Sequence, residues 1–249
     1  MATILDDRSK FVKLGPVQIH DRTIAIESDI IKYLRKLRNA EEISKYEYLR
    51  IKPIGSTRPR LYGLPKIHKK DCPLRPILSM CGSPQYTVSK WLCDIITPVA
   101  KYYCKHNVKD TFQFIDILRE QPVPSSSHMC SFDVVSLFTN VPVMETIDIC
   151  ANALYHDKEY SKQFDSPWMS ETAFRRLMQM MTTDVEFSFD DTMYRQIDGV
   201  AMGSPLGPVL ANVFVGFYES KIPSAMWPSL YVRFVDDSFT HFRNLEQSN

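Results

Sequence analysis

Four prolines, Pro53, Pro59, Pro65 and Pro73, punctuate residues 50–75 so closely that no long helix can run through them. Extended pieces and turns remain. The same stretch, RIKPIGSTRPRLYGLPKIHKKDCPLR, carries eight lysines or arginines against a single acid, Asp71. The 249-residue chain has 30 basic and 29 acidic side chains and a formal net charge of +1, so this positive charge is local and the remainder is net acidic. A uniformly basic nucleic-acid coat is excluded; a basic patch is not. With Leu61, Leu64 and Ile67 tying the segment to a core and Arg60, Lys66, Lys69 and Arg75 projecting, it reads as a phosphate-binding hairpin or loop. An ordinary basic surface loop has the same composition.

Apolar residues make up 44% and charged residues 24%, enough for a real core in one large domain or two small ones. No run approaches the roughly 18 apolar residues of a membrane span. Asp6 and Asp7 stand where a secretory signal would need an apolar stretch. Cys72, Cys81, Cys93, Cys104, Cys130 and Cys150 contain no CxxC pair, which disfavours structural zinc. Reduced thiols in an intracellular protein are the better reading.

Residues 1–20 show no period and read as an extension. Ser28 reads as the cap of a helix with Ile30, Ile31, Leu34 and Leu37 on one side and Lys32, Arg35, Lys36 and Arg38 around them. Ser83-Pro84 opens a helix whose apolar face holds Val88, Trp91, Leu92, Ile95, Ile96, Val99 and Tyr103. Asp110 caps a short helix carrying Phe114, Ile117 and Leu118, and QPVPSSSH is a loop. A strand over 129–135, a helix from near Pro142 to Leu154 and another over 170–181 follow. The methionines Met178, Met180 and Met181 read as core filling. Strands over 185–189 and 193–197 flank Asp190 and Asp191, which read as turn residues. Ser204-Pro205 opens a helix with Leu206, Val209, Leu210, Val213, Phe214 and Phe217 on its stripe. Tyr231–Val235 and Ser238–Phe242 form a hairpin with Asp236 and Asp237 at its tip. Helices interleaved with the strands of a small sheet give an α+β class.

Two apolar, strand-like runs end in acids: Ser131-Phe132-Asp133 and Phe234-Val235-Asp236-Asp237. A lone carboxylate in apolar surroundings is costly, and adjacent carboxylates repel. A divalent cation removes both problems, and magnesium takes one or two carboxylates plus substrate phosphates. Taken as spacing alone, a shared metal site and a pair of acidic turns both remain open. Between the runs lies GVAMGSPLGP, Gly199 to Pro208. Gly203 and Gly207 permit close approach of a base pair or sugar, and the amides before Pro205 can accept a phosphate. No GK[ST] follows, and the prolines break a dinucleotide fingerprint. A tight turn at a helix start is the simpler alternative.

RLYGLPKIHK at 60–69, PLRPILS at 73–79, SFDVVSLFTNVP at 131–142, GVAMGSPLGPVLANVF at 199–214 and FVDD at 234–237 come in one order. In that order the chain resembles the reverse transcriptase domain of Penelope-like retroelements, relatives of the telomerase catalytic subunit, over about residues 45–245. The resemblance implies a right-hand polymerase palm and fingers with the thumb absent or incomplete. Residues 1–44 would be an N-terminal extension with a helix, 45–125 fingers-like and 126–249 an incomplete palm. It implies an RNA-directed DNA polymerase that adds dNTPs to a primer 3′-hydroxyl through two Mg²⁺ ions. Asp133, Asp236 and Asp237 would be catalytic metal ligands. Lys66 and Arg75 would grip the triphosphate, with Arg60 on template phosphate. Phe138 would be the gate under the nucleotide sugar, favouring dNTP over NTP. Gly203, Pro205 and Gly207 would position template and primer. RNA template, DNA primer and dNTP are the implied partners, without a membrane, and the nucleus the implied location.

In that family a further palm strand, the primer grip, a thumb and usually a GIY-YIG endonuclease follow the aspartate pair. With so little sequence after Asp237, the expectation is a fragment of a retroelement protein. Two alternatives stand beside the polymerase. A catalytically impaired remnant would only bind RNA or an RNA–DNA hybrid through residues 50–75. A metal-dependent nuclease would cut without dNTPs, but it gives Phe138 and Gly199–Pro208 no role.

Overall fold

A computed structural model gives the architecture for residues 2–67, 70–121, 128–183 and 185–242. Lys69, most of the QPVPSSSH loop and the chain after Phe242 lie outside the described residues.

Among the described residues, eight strands form two sheets. They are β1 (Phe11–Pro16), β2 (Arg60–Pro65), β3 (Leu74–Ser79), β4 (His128–Asp133), β5 (Val185–Phe189), β6 (Thr192–Gln196), β7 (Leu230–Phe234) and β8 (Asp237–Phe242). The first sheet has the order β1-β6-β5-β2-β3 and the second β4-β8-β7. The chain start, where no period is legible, supplies β1 on the edge beside β6. The β5–β6 hairpin turns on Asp190 and Asp191, both with positive φ (47° and 50°), the left-handed pair that a two-residue hairpin turn requires.

The main core lies among the helices. Helix Leu206–Glu219 packs along Tyr86–Tyr103 and across Val143–Tyr155, and Glu171–Thr182 closes the far side. Its apolar spacing accounts for the contact: Leu206, Leu210 and Val213 are buried against Val88, Leu92, Ile96, Val99 and Ile147. Met178 and Met181 are buried there as core filling. A smaller core of Leu5, Phe11, Leu78, Met80, Val185, Phe187 and Ala201 backs the five-stranded sheet.

Some helix starts show side-chain capping. Asp110 accepts from the Gln113 amide at 2.9 Å, and Ser170 accepts from the Ala173 amide. The first long helix, however, begins at Thr23, not at Ser28. Asp21 accepts from both the Thr23 amide and hydroxyl, so the turn is fixed one step earlier. Ser28 sits inside, its hydroxyl donating to the Ile24 carbonyl.

The basic segment is a hairpin. β2 and β3 pair over their whole length, from Arg60↔Ser79 to Pro65↔Leu74. β2 meets β5 only at Arg60↔Ser188, so beyond Arg60 the hairpin projects past its neighbour. Leu61 packs on the smaller core, but Leu64 and Ile67 are exposed. The expectation that all three anchor the segment is corrected to Leu61 alone, because no strand lies beneath the distal half. Among the described residues no helix is long and apolar enough to cross a membrane.

Candidate functional site

β4 and β8 run antiparallel with Asp133 opposite Asp237. Directly paired Cα atoms in such a ladder lie about 4.5–5.5 Å apart. The Val134 amide then donates to the Asp236 carbonyl at 3.0 Å. Two acidic runs distant in sequence therefore meet at one end of the three-stranded sheet.

The hairpin differs from the sequence expectation in one respect. Its turn is Val235-Asp236, and Asp237 is already the first residue of β8, paired with Phe234. Val235 has φ +58°, a conformation that a β-branched residue rarely adopts. The costly-burial argument for the acids also fails: Asp133 and Asp237 are exposed and Asp236 is half-buried. They close short strands at the rim, where water still reaches them.

The turn is held from behind by residues that motif reasoning missed. Arg233 on β7 is 1% exposed and Glu219 at the end of its helix is 6% exposed. The Arg233 Nε donates to Glu219 Oε1 at 2.6 Å and Nη2 to Oε2 at 3.2 Å, a two-pronged pair. Nη1 donates to Asn212 Oδ1 at 2.8 Å and to the Val235 carbonyl at 2.9 Å. Asn107 Oδ1 lies 3.4 Å from both that Nη1 and the Val235 amide. The Tyr231 hydroxyl donates to the same Glu219 Oε1 at 2.7 Å. Burial works against the Arg233 charge, but the Glu219 carboxylate outweighs it and lifts the guanidinium pKa above its ordinary value. The signal was in the sequence: a charged residue in the apolar run YVRFV and another closing an apolar helix.

Phe138, in the short helix Leu137–Asn140, is half-buried. Its carbonyl accepts from the Val200 amide at 2.7 Å, and a Cβ on Gly207 would lie 3.5 Å from its ring. The ring therefore lies alongside the glycine loop. Gly203 has φ +124°, and a Cβ there would stand 2.2 Å from the Leu78 carbonyl oxygen. The close approach that this glycine permits is to β3, not to a base pair. The Leu78 amide in turn donates to the Met202 carbonyl at 2.8 Å. Of the amides before Pro205, that of Ser204 already donates to the Ala201 carbonyl at 2.9 Å, so it is not free for a phosphate. Pro205 immediately precedes the helix that starts at Leu206. This loop stitches the hairpin-bearing sheet to Phe138, five positions after Asp133.

Arg75 on β3 is exposed opposite Leu64, Arg60 is exposed at the hairpin base, and Lys66 is half-buried just past β2. The Lys66 amide donates to the Pro73 carbonyl, closing the hairpin end. Beside the aspartates, a cleft of about 330 Å³ opens between helix Thr111–Glu120 and the sheet, lined by Val108, Phe114, Val232, Phe239 and Asp237.

Among the described residues, no three histidine, cysteine, aspartate or glutamate side chains gather closely enough to hold a metal ion. The donors fit a hard cation in kind, since all three are carboxylates at adjacent backbone positions. Their side chains as placed do not converge.

Structural comparison adds the decisive observation. The chain is similar to telomerase from Candida tropicalis, with a TM-score of 0.56 and 13% identity over 86% of this chain and 44% of that one. The fold resembles that of telomerase. A form of the same telomerase truncated from its C-terminal domain gives a TM-score of 0.53 at 13% identity, covering 79% of this chain and 46% of that one. Telomerase from Candida albicans, solved with the TWJ fragment of telomeric RNA, gives 0.56 at 11% identity, covering 76% and 38%. This chain thus spans less than half the length of the telomerase structures it matches. No protein-family model matches the sequence, and no curated protein matches it. The likeness to telomerase is one of α+β fold, with palm-and-fingers architecture.

Proposed function

We propose that the chain is the polymerase core of an RNA-directed DNA polymerase of the Penelope-like type, part of a retroelement protein that transfers dNTPs to a primer 3′-hydroxyl. One observation carries the proposal: the Asp133↔Asp237 register, with Asp236 bonded through its carbonyl to Val134, unites the two acidic motifs. The telomerase-like fold supports it.

Asp133, Asp236 and Asp237 would hold two Mg²⁺ ions, which when bound lower the pKa of the attacking hydroxyl and neutralise the leaving pyrophosphate. Lys66 and Arg75 offset the negative charge of the triphosphate. Arg60 faces template phosphate. The Phe138 ring takes the place a ribose 2′-hydroxyl would need, which selects dNTP. Gly203, Pro205 and Gly207 shape the loop that backs the ring, so template and primer meet a fixed wall. The protein then reads backbone and groove shape, while base pairing with the RNA template reads sequence. A nuclear location accompanies this reading.

A second reading is a module that binds RNA or an RNA–DNA hybrid through the projecting hairpin without extending a primer. The failure of the three carboxylates to converge favours it. Primer extension on a primed RNA template with Mg²⁺ and dNTPs separates the readings. The polymerase predicts incorporation that D236A abolishes. Salt-sensitive binding without incorporation belongs to the module, and nicking without dNTPs to a nuclease; either overturns the proposal.

A further inference from the structure

The aspartate turn is not self-supporting. Val235 sits at φ +58°, a strained conformation that a valine keeps only where its surroundings impose it. The surroundings are specific. Val235 offers one carbonyl and one amide to the protein interior, and both are engaged: the carbonyl by Arg233 Nη1, the amide by Asn107 Oδ1. Asn107 reaches this position because its own segment pairs with Arg233, whose amide donates to the His106 carbonyl and whose carbonyl accepts from the Val108 amide. Arg233 is in turn fixed by both oxygens of Glu219 and by Asn212. A buried pair of this kind is a weak source of net stability and a strong source of geometric definition.

We infer that Arg233, locked by Glu219 and assisted by Asn107, is the positioning residue that sets the Val235-Asp236 turn and so fixes the backbone from which the Asp236 and Asp237 carboxylates reach an ion shared with Asp133. This rests on the polymerase reading for its purpose, though not for its geometry. Lysine cannot replace the arginine. A single ammonium cannot meet two Glu219 oxygens, Asn212 and the Val235 carbonyl in one plane. The network also contains its own control. The Tyr231 hydroxyl shares Glu219 Oε1 with Arg233 Nε and is not one of the groups that hold Val235, so removing it weakens the buried cluster without removing a bond to the turn.

The experiment compares N107A, R233K and Y231F in the full chain. Thermal melting, backbone amide exchange at residues 235–237, and Mn²⁺ binding followed by the loss of the free-ion EPR signal are measured for each. N107A keeps the Arg233–Glu219 pair, so it remains informative if R233K does not fold. The expected result is faster exchange at 235–237 and at least tenfold weaker Mn²⁺ binding in N107A and R233K, with Y231F like the parent even where its melting temperature falls as far. If exchange and Mn²⁺ affinity follow melting temperature across all three variants, Arg233 is only a core residue and the inference falls. Unchanged exchange in N107A also overturns it. If exchange responds as expected but the parent neither binds Mn²⁺ nor extends a primer, the polymerase reading fails, and with it the role of aiming metal ligands.

Discussion

The acidic turn and the basic hairpin are built on opposite principles. At the turn, a backbone conformation unfavourable to valine is imposed by a buried arginine bonded to Glu219, Asn212 and the Val235 carbonyl. In the distal half of the hairpin, around Leu64 and Arg75, the backbone has its own ladder, and Leu64, Leu74 and Arg75 alike face outward. One region spends stability to fix geometry. The other leaves long cationic side chains free to follow a phosphate backbone. Metal ligands must be placed within fractions of an ångström, whereas phosphate contacts tolerate movement, so the division matches the proposed chemistry.

The largest expected effect breaks the comparison at the turn. E219A leaves the Arg233 charge buried without its partner and should cost about 3–5 kcal/mol in chemical denaturation. R75A, on the hairpin, should change stability by no more than about 0.5 kcal/mol. Equal losses would erase the distinction between the two regions.

The next effect tests the seam between them. G203A places a methyl group against the Leu78 carbonyl at a φ that alanine resists, with a strain of about 1–3 kcal/mol. Relief requires the loop to leave β3 and withdraw support from Phe138. Urea denaturation should show the loss, and extension assays should show a relaxed preference for dNTP over NTP. A fully stable G203A would mean that the loop has room the geometry denies.

Smaller changes sharpen the hairpin's role. R60A should lower the salt dependence of nucleic-acid binding by about one phosphate contact, leaving the melting temperature unchanged. An unaltered salt slope would remove Arg60 from the template interface.

The smallest effect is a pH dependence behind the turn. His106 lies against Trp227 and Tyr231, with ring centroids at 4.4 and 5.5 Å. Burial holds its pKa below the ordinary 6.5; Arg233 and Lys105 act in the same direction and Glu219 opposes them. The folded state therefore binds this proton less readily than the unfolded chain. Stability present above pH 6.5 is lost as pH falls toward the folded pKa. Melting curves between pH 8 and pH 5 should show the decline, and H106Q should flatten it. An unchanged slope in H106Q would assign the decline elsewhere.

Much of the helical core was legible because its signal is periodic and local. Leu206, Leu210 and Val213 declare a buried stripe, and Asp110 declares a cap. The order of motifs led to the α+β palm-and-fingers architecture that the telomerase structures share. What stayed hidden depends on distant partners. β1 carries no period of its own and exists by pairing with β6. Leu64 and Ile67 look like anchors until β5 proves to stop beneath Arg60. Gly203 looks like a ligand-facing glycine until the Leu78 carbonyl occupies its empty side. Arg233 and Glu219 stand out in the sequence only as charges in apolar runs, and only the fold makes them a clamp.

Iron-directed cleavage is the most direct test of the shared acidic site. Fe²⁺ substituted for Mg²⁺, with ascorbate and peroxide, cuts the backbone near the bound ion. A joint site predicts cuts in both segments, around residues 131–135 and 234–238, and D236A should abolish both together. Cleavage confined to one segment, or cleavage at both that D236A leaves intact, would contradict a single metal centre built from Asp133, Asp236 and Asp237.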